Sequence, residues 1–269
     1  MVFGIMQGRL SPPQGNQLQF FPNDWKSEFE TAHILGFDSI EWIYDDIDFD
    51  NPLMGEAGQL EIKERQKQFN VSIRSICADI FMKVHLTDTD SSLAIEILSN
   101  LIRRATQAGI TTISIPFVEE HIPVTTEQRL TAVRNIKKVL SLNKNINLVL
   151  EIDLPVNDII SIVEAIGSPQ TGVCYDTGNA MTFGFDAGDD IRKLGKYLKE
   201  IHLKDRMGGT RQSVYLGKGS VDFPDVFSAL AEIKFDGLCI LQAWRGENYL
   251  DDAKNQLEFA REFSKKQSN

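Results

Sequence analysis

The sequence lacks the features that mark several classes of protein. Its three cysteines form no CxxC pair, and each lies inside an apolar run, which indicates buried thiols in a reducing compartment. No run is apolar over the roughly 18 residues that a membrane helix needs, and none resembles a signal peptide. No GxGxxG turn follows the first apolar run, which argues against an open dinucleotide-binding fold. We therefore expect a cytoplasmic protein with no membrane partner.

Positive charge is scarce as well. The chain has 28 Lys and Arg against 38 Asp and Glu, and its formal net charge is -10 at pH 7. An acidic surface is unsuited to a phosphate backbone, so we expect no nucleic-acid partner. The length of 269 residues is enough for one large domain with a sizeable core.

The sequence does contain a regular alternation of apolar runs and stretches with helical spacing. Most of the runs are rich in Ile, Val, Leu or Phe, as strands buried on both faces are. The eight predicted strands are 2–6, 39–43, 71–78, 111–118, 147–152, 171–176, 200–204 and 237–242. The predicted helices are 24–36, 58–70, 91–109, 126–143, 156–167, 189–200, 222–237 and 248–267.

Residues at the helix boundaries support this alternation. Asp24 and Asp222 are predicted N-caps, and Gly36 and Gly109 are predicted C-caps. Alternating β and α units imply a parallel sheet, and eight such units in roughly 250 residues fit a closed barrel. The predicted fold class is therefore α/β, a single (β/α)8 TIM barrel domain over 1–269.

Chemistry in such a barrel lies at the carboxyl ends of the strands. Four consecutive predicted strands end in "LVLEID", "VCYDTGN", "IHLKD" and "CILQAW". The residues that would meet at one side of the barrel mouth are Glu151, Asp176, His202 and Gln242. Oxygen and nitrogen ligands of this kind suit Mn²⁺, Mg²⁺, Co²⁺ or Zn²⁺, so we predict one divalent metal ion as cofactor. Taken singly, Asp176 could instead be a helix cap, and His202 a buried core histidine.

These motifs, with "MQGRLSPP" after the first strand and the "LGKGSVDF" loop, resemble the sugar phosphate isomerase/epimerase group of the xylose isomerase-like TIM barrel superfamily. The resemblance covers nearly the whole chain. It implies a barrel with one divalent metal, and it gives the same four residues the metal-ligand roles. Members of the group include ketose and ketose-phosphate 3-epimerases, hydroxypyruvate isomerases, inosose dehydratases and endonuclease IV relatives.

The chain departs from the ketose epimerases at the eighth strand, where they carry a glutamate and this chain carries Gln242. In those enzymes one glutamate removes the proton beside the carbonyl and the other returns a proton on the opposite face. An amide oxygen can bind a metal but cannot accept a proton at neutral pH, which argues against two-base epimerisation. Asn179 and Asn157 also stand where the free-sugar epimerases tend to carry histidine and glutamate.

We predict an enzyme, an isomerase or epimerase that acts on a small ketose, ketose phosphate or related polyhydroxy carbonyl compound through an enediolate. Glu151 is the candidate base, and Lys204 is the candidate general acid or oxyanion-binding group. Candidates for contact with the small carbohydrate substrate are Arg9, Glu41, Asn179, Lys218, Trp244 and Arg245. Arg206 and Arg211 are further anion-binding candidates, and the glycines of "LGKGSVDF" could present N–H groups to a phosphate.

Two alternatives stay open. One is an inosose-type dehydratase of the same superfamily. The other is a metal-dependent sugar or sugar-phosphate binding barrel without turnover, because Gln242 replaces a catalytic acid. A DNA-repair function is disfavoured by the four histidines and the acidic composition. The sequence is also compatible with a homo-oligomeric assembly.

Overall fold

The computed structural model describes residues 1–14, 19–47, 50–142 and 145–266. The predicted ends of two helices, at 143 and 267, lie outside these residues. Eight of the strands are β1 Val2–Met6, β2 Ser39–Ile43, β3 Ser72–Cys77, β4 Thr112–Phe117, β5 Asn147–Ile152, β6 Thr171–Asp176, β7 Leu198–Leu203 and β8 Leu238–Leu241. They pair in parallel in the order β1–β8–β7–β6–β5–β4–β3–β2 and close into a barrel. The predicted fold class is confirmed.

Helices follow the strands along the chain and cover the outside of the barrel. They are α1 Ser27–Leu35, α2 Glu56–Phe69, α3 Ser92–Ala108, α4 Thr126–Leu142, α5 Val156–Ile166, α6 Thr177–Thr182, α7 Ala187–Leu194, α8 Phe223–Glu232 and α9 Tyr249–Lys266. Their apolar faces and the strands form one continuous hydrophobic core. The predicted caps at Gly36 and Gly109 are confirmed, with φ of 90° and 81°, a left-handed conformation that glycine adopts without strain. Asp222 also caps α8 as predicted, because its side chain accepts the N–H of Asp225 at 3.1 Å.

Several helix boundaries differ from the prediction, and the helix predicted over 222–237 ends at Glu232. Asp24 is not an N-cap, because α1 begins at Ser27, and the backbone carbonyl of Asp24 instead accepts the Ser27 hydroxyl at 2.8 Å. The helix predicted over 189–200 ends at Leu194. Gly195 follows with φ of 49°, and β7 begins at Leu198, so the strand takes residues that helical spacing had assigned to the helix.

The segment after β7 contains a short antiparallel ribbon, Asp205–Arg206 paired with Ser213–Val214. The buried carboxylate of Asp205 accepts the N–H groups of Gly217, Gly219 and Val221 at 2.9, 2.8 and 3.1 Å. These N–H groups belong to the "LGKGSVDF" loop, which the sequence predicted as a phosphate-binding loop. They donate to Asp205 instead and are not available to a phosphate.

Within the described residues, no helix is both long and apolar enough to cross a membrane.

Candidate active site at the barrel mouth

A cavity of about 410 Å³ opens at the carboxyl ends of the strands. This volume suits a small-molecule ligand. Its wall includes Glu151, Asp153, Asn179, Lys204 and Gln242, together with Gln19 and Asp79 from the β1 and β3 sides. Two of the four residues predicted to bind a metal, Glu151 and Gln242, line this cavity. Asp176 contacts Lys204 on the cavity wall, and the fully buried His202 lies next to Glu151.

Glu151 is held near the end of β5, where it is buried against two polar neighbours. Its Oε1 accepts the Asn179 side-chain N–H at 3.2 Å, and its Oε2 lies 3.5 Å from Nδ1 of His202. Burial raises the pKa of Glu151 to about 8, and the negative charge of Asp176 adds to this effect, while His202 opposes it. A carboxyl group with a pKa near the working pH is suited to taking up and releasing a proton.

Asp176 uses its two carboxylate oxygens for different contacts. Oδ1 accepts the backbone N–H groups of Gly178 and Asn179, both at 2.8 Å, and so caps α6. Oδ2 lies 3.1 Å from Nζ of Lys204. Burial would raise the pKa of Asp176, but the cation of Lys204 and the imidazole of His202 lower it below the usual value. Asp176 is therefore a helix cap and also presents one anionic oxygen to a cation.

Gln242 follows β8 and has both ends of its amide engaged. Its Oε1 accepts a hydrogen bond from Lys204 Nζ at 2.9 Å, and its Nε2 donates to Oε1 of Gln19 at 2.8 Å. Gln19 in turn donates from its Nε2 to the carboxylate of Asp79. In this arrangement position 242 donates a proton to Gln19, which an amide can do and a carboxylate cannot.

His202 lies inside the barrel and is fully buried. Its Nδ1 faces Glu151, whereas its Nε2 lies 3.1 Å from Oε2 of Glu41 and 3.4 Å from Oε1 of Glu200. Glu41 and Glu200 are also fully buried, and neither lines the cavity. Burial and the charge of Glu41 raise the pKa of Glu200 well above its usual value. The sequence predicted a substrate contact for Glu41, and the structure places this carboxylate beneath the cavity.

The donor set at the mouth fits a divalent ion. Glu151, Cys174 and His202 each offer a ligand atom, and these atoms lie within 4.8 Å of one another. Cys174 is the poorer ligand, because burial raises its thiol pKa well above the usual value and metals bind the thiolate. Asp176 and Gln242 converge on one cation, the Lys204 ammonium, which shows that their oxygens can share a positive charge.

Arg9 and Arg245, predicted to contact the substrate, are buried between β1 and β8. The Arg245 Nη1 donates to the backbone carbonyls of Gly8 and Ser11, and its guanidinium lies 5.3 Å from the Phe20 ring. Arg9 donates from Nη2 to the backbone carbonyl of Gln242 at 3.2 Å. Both guanidinium groups therefore hold the β1 loop against β8, and neither lines the cavity.

Replacing Arg245 with methionine is expected to lower stability by about 2 to 4 kcal/mol, because two buried carbonyls lose their donor. Urea unfolding measures this loss. Lys218→Met is the control, since Lys218 is exposed, and its expected change is within about 0.5 kcal/mol. If Arg245→Met kept full stability and weakened sugar binding instead, the guanidinium would have to reach the substrate.

Of the remaining predicted contacts, Lys218 and Trp244 lie outside the cavity wall. Lys218 is exposed on its loop, and Trp244 packs edge-on against Tyr215 with ring centroids 4.8 Å apart. Asn179 does line the cavity, as do the two arginines of the ribbon, Arg206 and Arg211.

Four polar residues of this region were not selected from the sequence. Glu200 precedes His202 by two positions on β7, so strand alternation could have placed both side chains inside the barrel. Asp153 lines the cavity, and burial raises its pKa to about 6. Gln19 has no comparable signal, because its contact with Asp79 depends on how the β1 loop folds. Cys77 contacts Asp79 locally, two positions along the chain at the end of β3.

The fold and this site define a (β/α)8 barrel whose candidate chemistry lies at the carboxyl ends of its strands. Residues 29–266 match the family model for the xylose isomerase-like TIM barrel, and the chain belongs to this family.

Known proteins of similar sequence and structure include sugar epimerases. The chain is 22% identical over 235 residues to L-ribulose-5-phosphate 3-epimerase UlaE of Salmonella paratyphi A, covering 82% of each protein. A solved structure of L-ribulose 3-epimerase superimposes with a TM-score of 0.80 at 18% identity, covering 100% of this chain and 96% of that one. The IOLI protein, solved with a bound zinc atom, gives a TM-score of 0.75 at 17% identity, covering 99% and 98%.

Proposed function

We propose that the protein is a metal-dependent isomerase or epimerase of a small ketose or ketose phosphate that works through an enediolate. The observation that carries this proposal is the position of Glu151, a buried carboxylate on the cavity wall that lies 3.5 Å from Nδ1 of His202 and shares the wall with Lys204 and Gln242. Membership in a family with ketose-phosphate epimerases among its relatives supports the same class of substrate.

We infer that Glu151, Asp176, His202 and Gln242 hold the divalent ion. When bound, such an ion supplies positive charge for the substrate oxygen that becomes negative during proton abstraction. The ammonium of Lys204 contacts one oxygen of Asp176 and one of Gln242, so it lies next to two of the four proposed metal ligands.

In the proposed reaction Glu151 removes the proton from the carbon next to the substrate carbonyl. The electron pair of the broken C–H bond forms a C=C bond, the π pair of the carbonyl moves onto its oxygen, and the product is the enediolate. Lys204 holds the developing oxyanion and can protonate it. If Glu151 returns the proton to the former carbonyl carbon, and Lys204, after protonating the first oxygen, takes up the proton of the neighbouring hydroxyl, the result is isomerisation, which needs no acid on the opposite face.

A phosphorylated substrate is supported by the arginine side chains on the cavity wall. Arg206 donates from Nη1 to the Thr182 hydroxyl at 2.9 Å, and its Nε has no hydrogen-bond partner among the described residues. A guanidinium on a cavity wall is suited to a phosphate oxygen, and Arg206 and Arg211 both lie on this wall. The substrate panel therefore includes sugars with and without phosphate.

A sugar-binding protein without turnover is the second candidate, and the observation that favours it is the amide at Gln242. Proton exchange separates the two. The purified chain, with added Mn²⁺, Mg²⁺ or Co²⁺, is incubated in deuterated water with a panel of ketoses and ketose phosphates. We expect deuterium in at least one substrate. Ligands that bind without any exchange would establish the binder instead.

Metal content provides a separate test. We expect about one divalent ion per chain, and we expect the His202→Ala, Asp176→Ala double variant to lose it. The fold is checked by circular dichroism. A folded wild-type chain that binds none of the tested divalent ions would rule out this metal site.

A further inference from the structure

The imidazole of His202 lies between the carboxylates of Glu41 and Glu151, one at each ring nitrogen. Nδ1 faces Glu151 at the cavity, and Nε2 faces the barrel interior. We propose that Glu41 is a positioning residue, whose carboxylate holds the Nε2–H of His202 and so directs Nδ1 toward Glu151 and the divalent ion. The part of this inference that concerns the ion rests on the proposed function, whereas the contact with His202 does not.

The contact crosses the barrel interior. Glu41 is on β2 and His202 on β7, and strands β1 and β8 lie between them in the sheet. Two side chains on such strands can meet only if both point into the barrel. Both are fully buried, so the 3.1 Å approach of Oε2 to Nε2 is made out of contact with bulk water.

The buried carboxylate of Glu41 needs a hydrogen-bond donor or a positive charge close to it. Neither of its oxygens forms a hydrogen bond of good geometry among the described residues, and its 3.1 Å approach to Nε2 of His202 is an ion-pair contact with a basic residue. A buried carboxylate without a donor or a cation is strongly destabilising, so the imidazole N–H is its natural partner.

The expected role follows from how proteins orient metal-binding histidines. A carboxylate that accepts one ring N–H fixes the tautomer, the ring angle and the basicity of the other nitrogen. Glu200 approaches the same Nε2 at 3.4 Å, so the shorter contact assigns the role to Glu41. The sequence predicted that Glu41 contacts the substrate. Because Glu41 is fully buried and does not line the cavity, we assign it the positioning role instead.

The test uses the full chain with ¹⁵N-labelled histidine, because four histidines give few signals. Proton–nitrogen correlation spectra of the metal-free chain should show an Nε2-bound proton on His202. That signal should shift in Glu41→Gln and stay in place in Glu28→Gln, which changes a buried glutamate elsewhere. An Nε2–H signal unchanged by Glu41→Gln would overturn the contact, whatever the metal result.

Zinc affinity then tests the consequence. In the zinc-loaded chain Nδ1 should carry the metal and Nε2 the proton, and Glu41→Gln should weaken zinc binding by about 10- to 100-fold in calorimetric titration. Glu200→Gln should weaken it less. A larger loss in Glu200→Gln, or zinc on Nε2, would contradict the assignment to Glu41. Two zinc ions per chain, one lost in Glu41→Gln, would show that the interior acids are themselves ligands and would also overturn it.

Discussion

Replacing Glu151 with glutamine is expected to lower turnover by about 10²- to 10⁴-fold, the usual contribution of a positioned general base. The amide has nearly the same shape, and its oxygen can still bind a metal, but it cannot accept the substrate proton. The rate is measured as deuterium incorporation into the substrate identified in the panel, at saturating metal, so that a weaker metal affinity does not lower the measured rate.

Asp153→Asn is the matched control for this substitution. Asp153 lies two positions along from Glu151 and lines the same cavity, so the variant removes one carboxylate from the same wall. We expect it to retain activity within about 10-fold, because its carboxylate is not assigned a proton-transfer role. If Asp153→Asn lost as much turnover as expected for Glu151→Gln, while Glu151→Gln stayed active, the base would be Asp153.

The barrel could be predicted because each strand is a short apolar run followed by a helix signal. Runs such as 147–152 and 171–176 match β5 and β6 residue for residue, since strands buried on both faces leave a continuous apolar pattern. Helix ends were less secure where both patterns overlap. At 189–200 the helical spacing continued into residues that tertiary pairing places in β7.

The polar ends of strands located the cavity wall but not the direction of every side chain. Glu151, Asp176 and His202 lie on the strands, so strand geometry points them inward. Trp244 and Arg245 lie beyond the end of β8, where the backbone no longer follows strand alternation, and Arg245 turns toward the carbonyls of the β1 loop. A sequence pattern contains no information on such a turn.

Gln242 is the position at which the sequence resemblance and the structure give complementary information. The resemblance predicts a glutamate there, and the structure shows why this chain accommodates an amide. Gln242 donates to Gln19, and Gln19 donates to Asp79, so the hydrogen bonds run in one direction and end on a carboxylate. The carboxylate on this side of the cavity therefore belongs to Asp79, and the Gln19 side chain lies between it and Gln242.

Gln242→Glu together with Asp79→Asn is expected to raise the rate of C3 epimer formation by about 10²-fold or more, since it places a proton-accepting group across from Glu151. In this double variant the chain of bonds reverses: Gln19 can donate to Glu at 242 and accept from Asn at 79. The number of carboxylates is unchanged. Chromatographic separation of the two epimers after incubation with substrate and metal measures the rate.

The single variants separate chemistry from hydrogen bonding. Gln242→Glu alone places Gln19 between two carboxylates, and the amide N–H group of Gln19 can reach only one of them. This single variant should therefore be less stable than the double variant by about 1 to 3 kcal/mol. Asp79→Asn alone restores no base and should gain no epimerisation. A stable, metal-loaded double variant that forms no C3 epimer would mean that position 242 does not face the reacting carbon. In that case the amide of Gln242 would not be the reason why the protein lacks two-base epimerisation. A second base would then have to be another residue of the cavity wall.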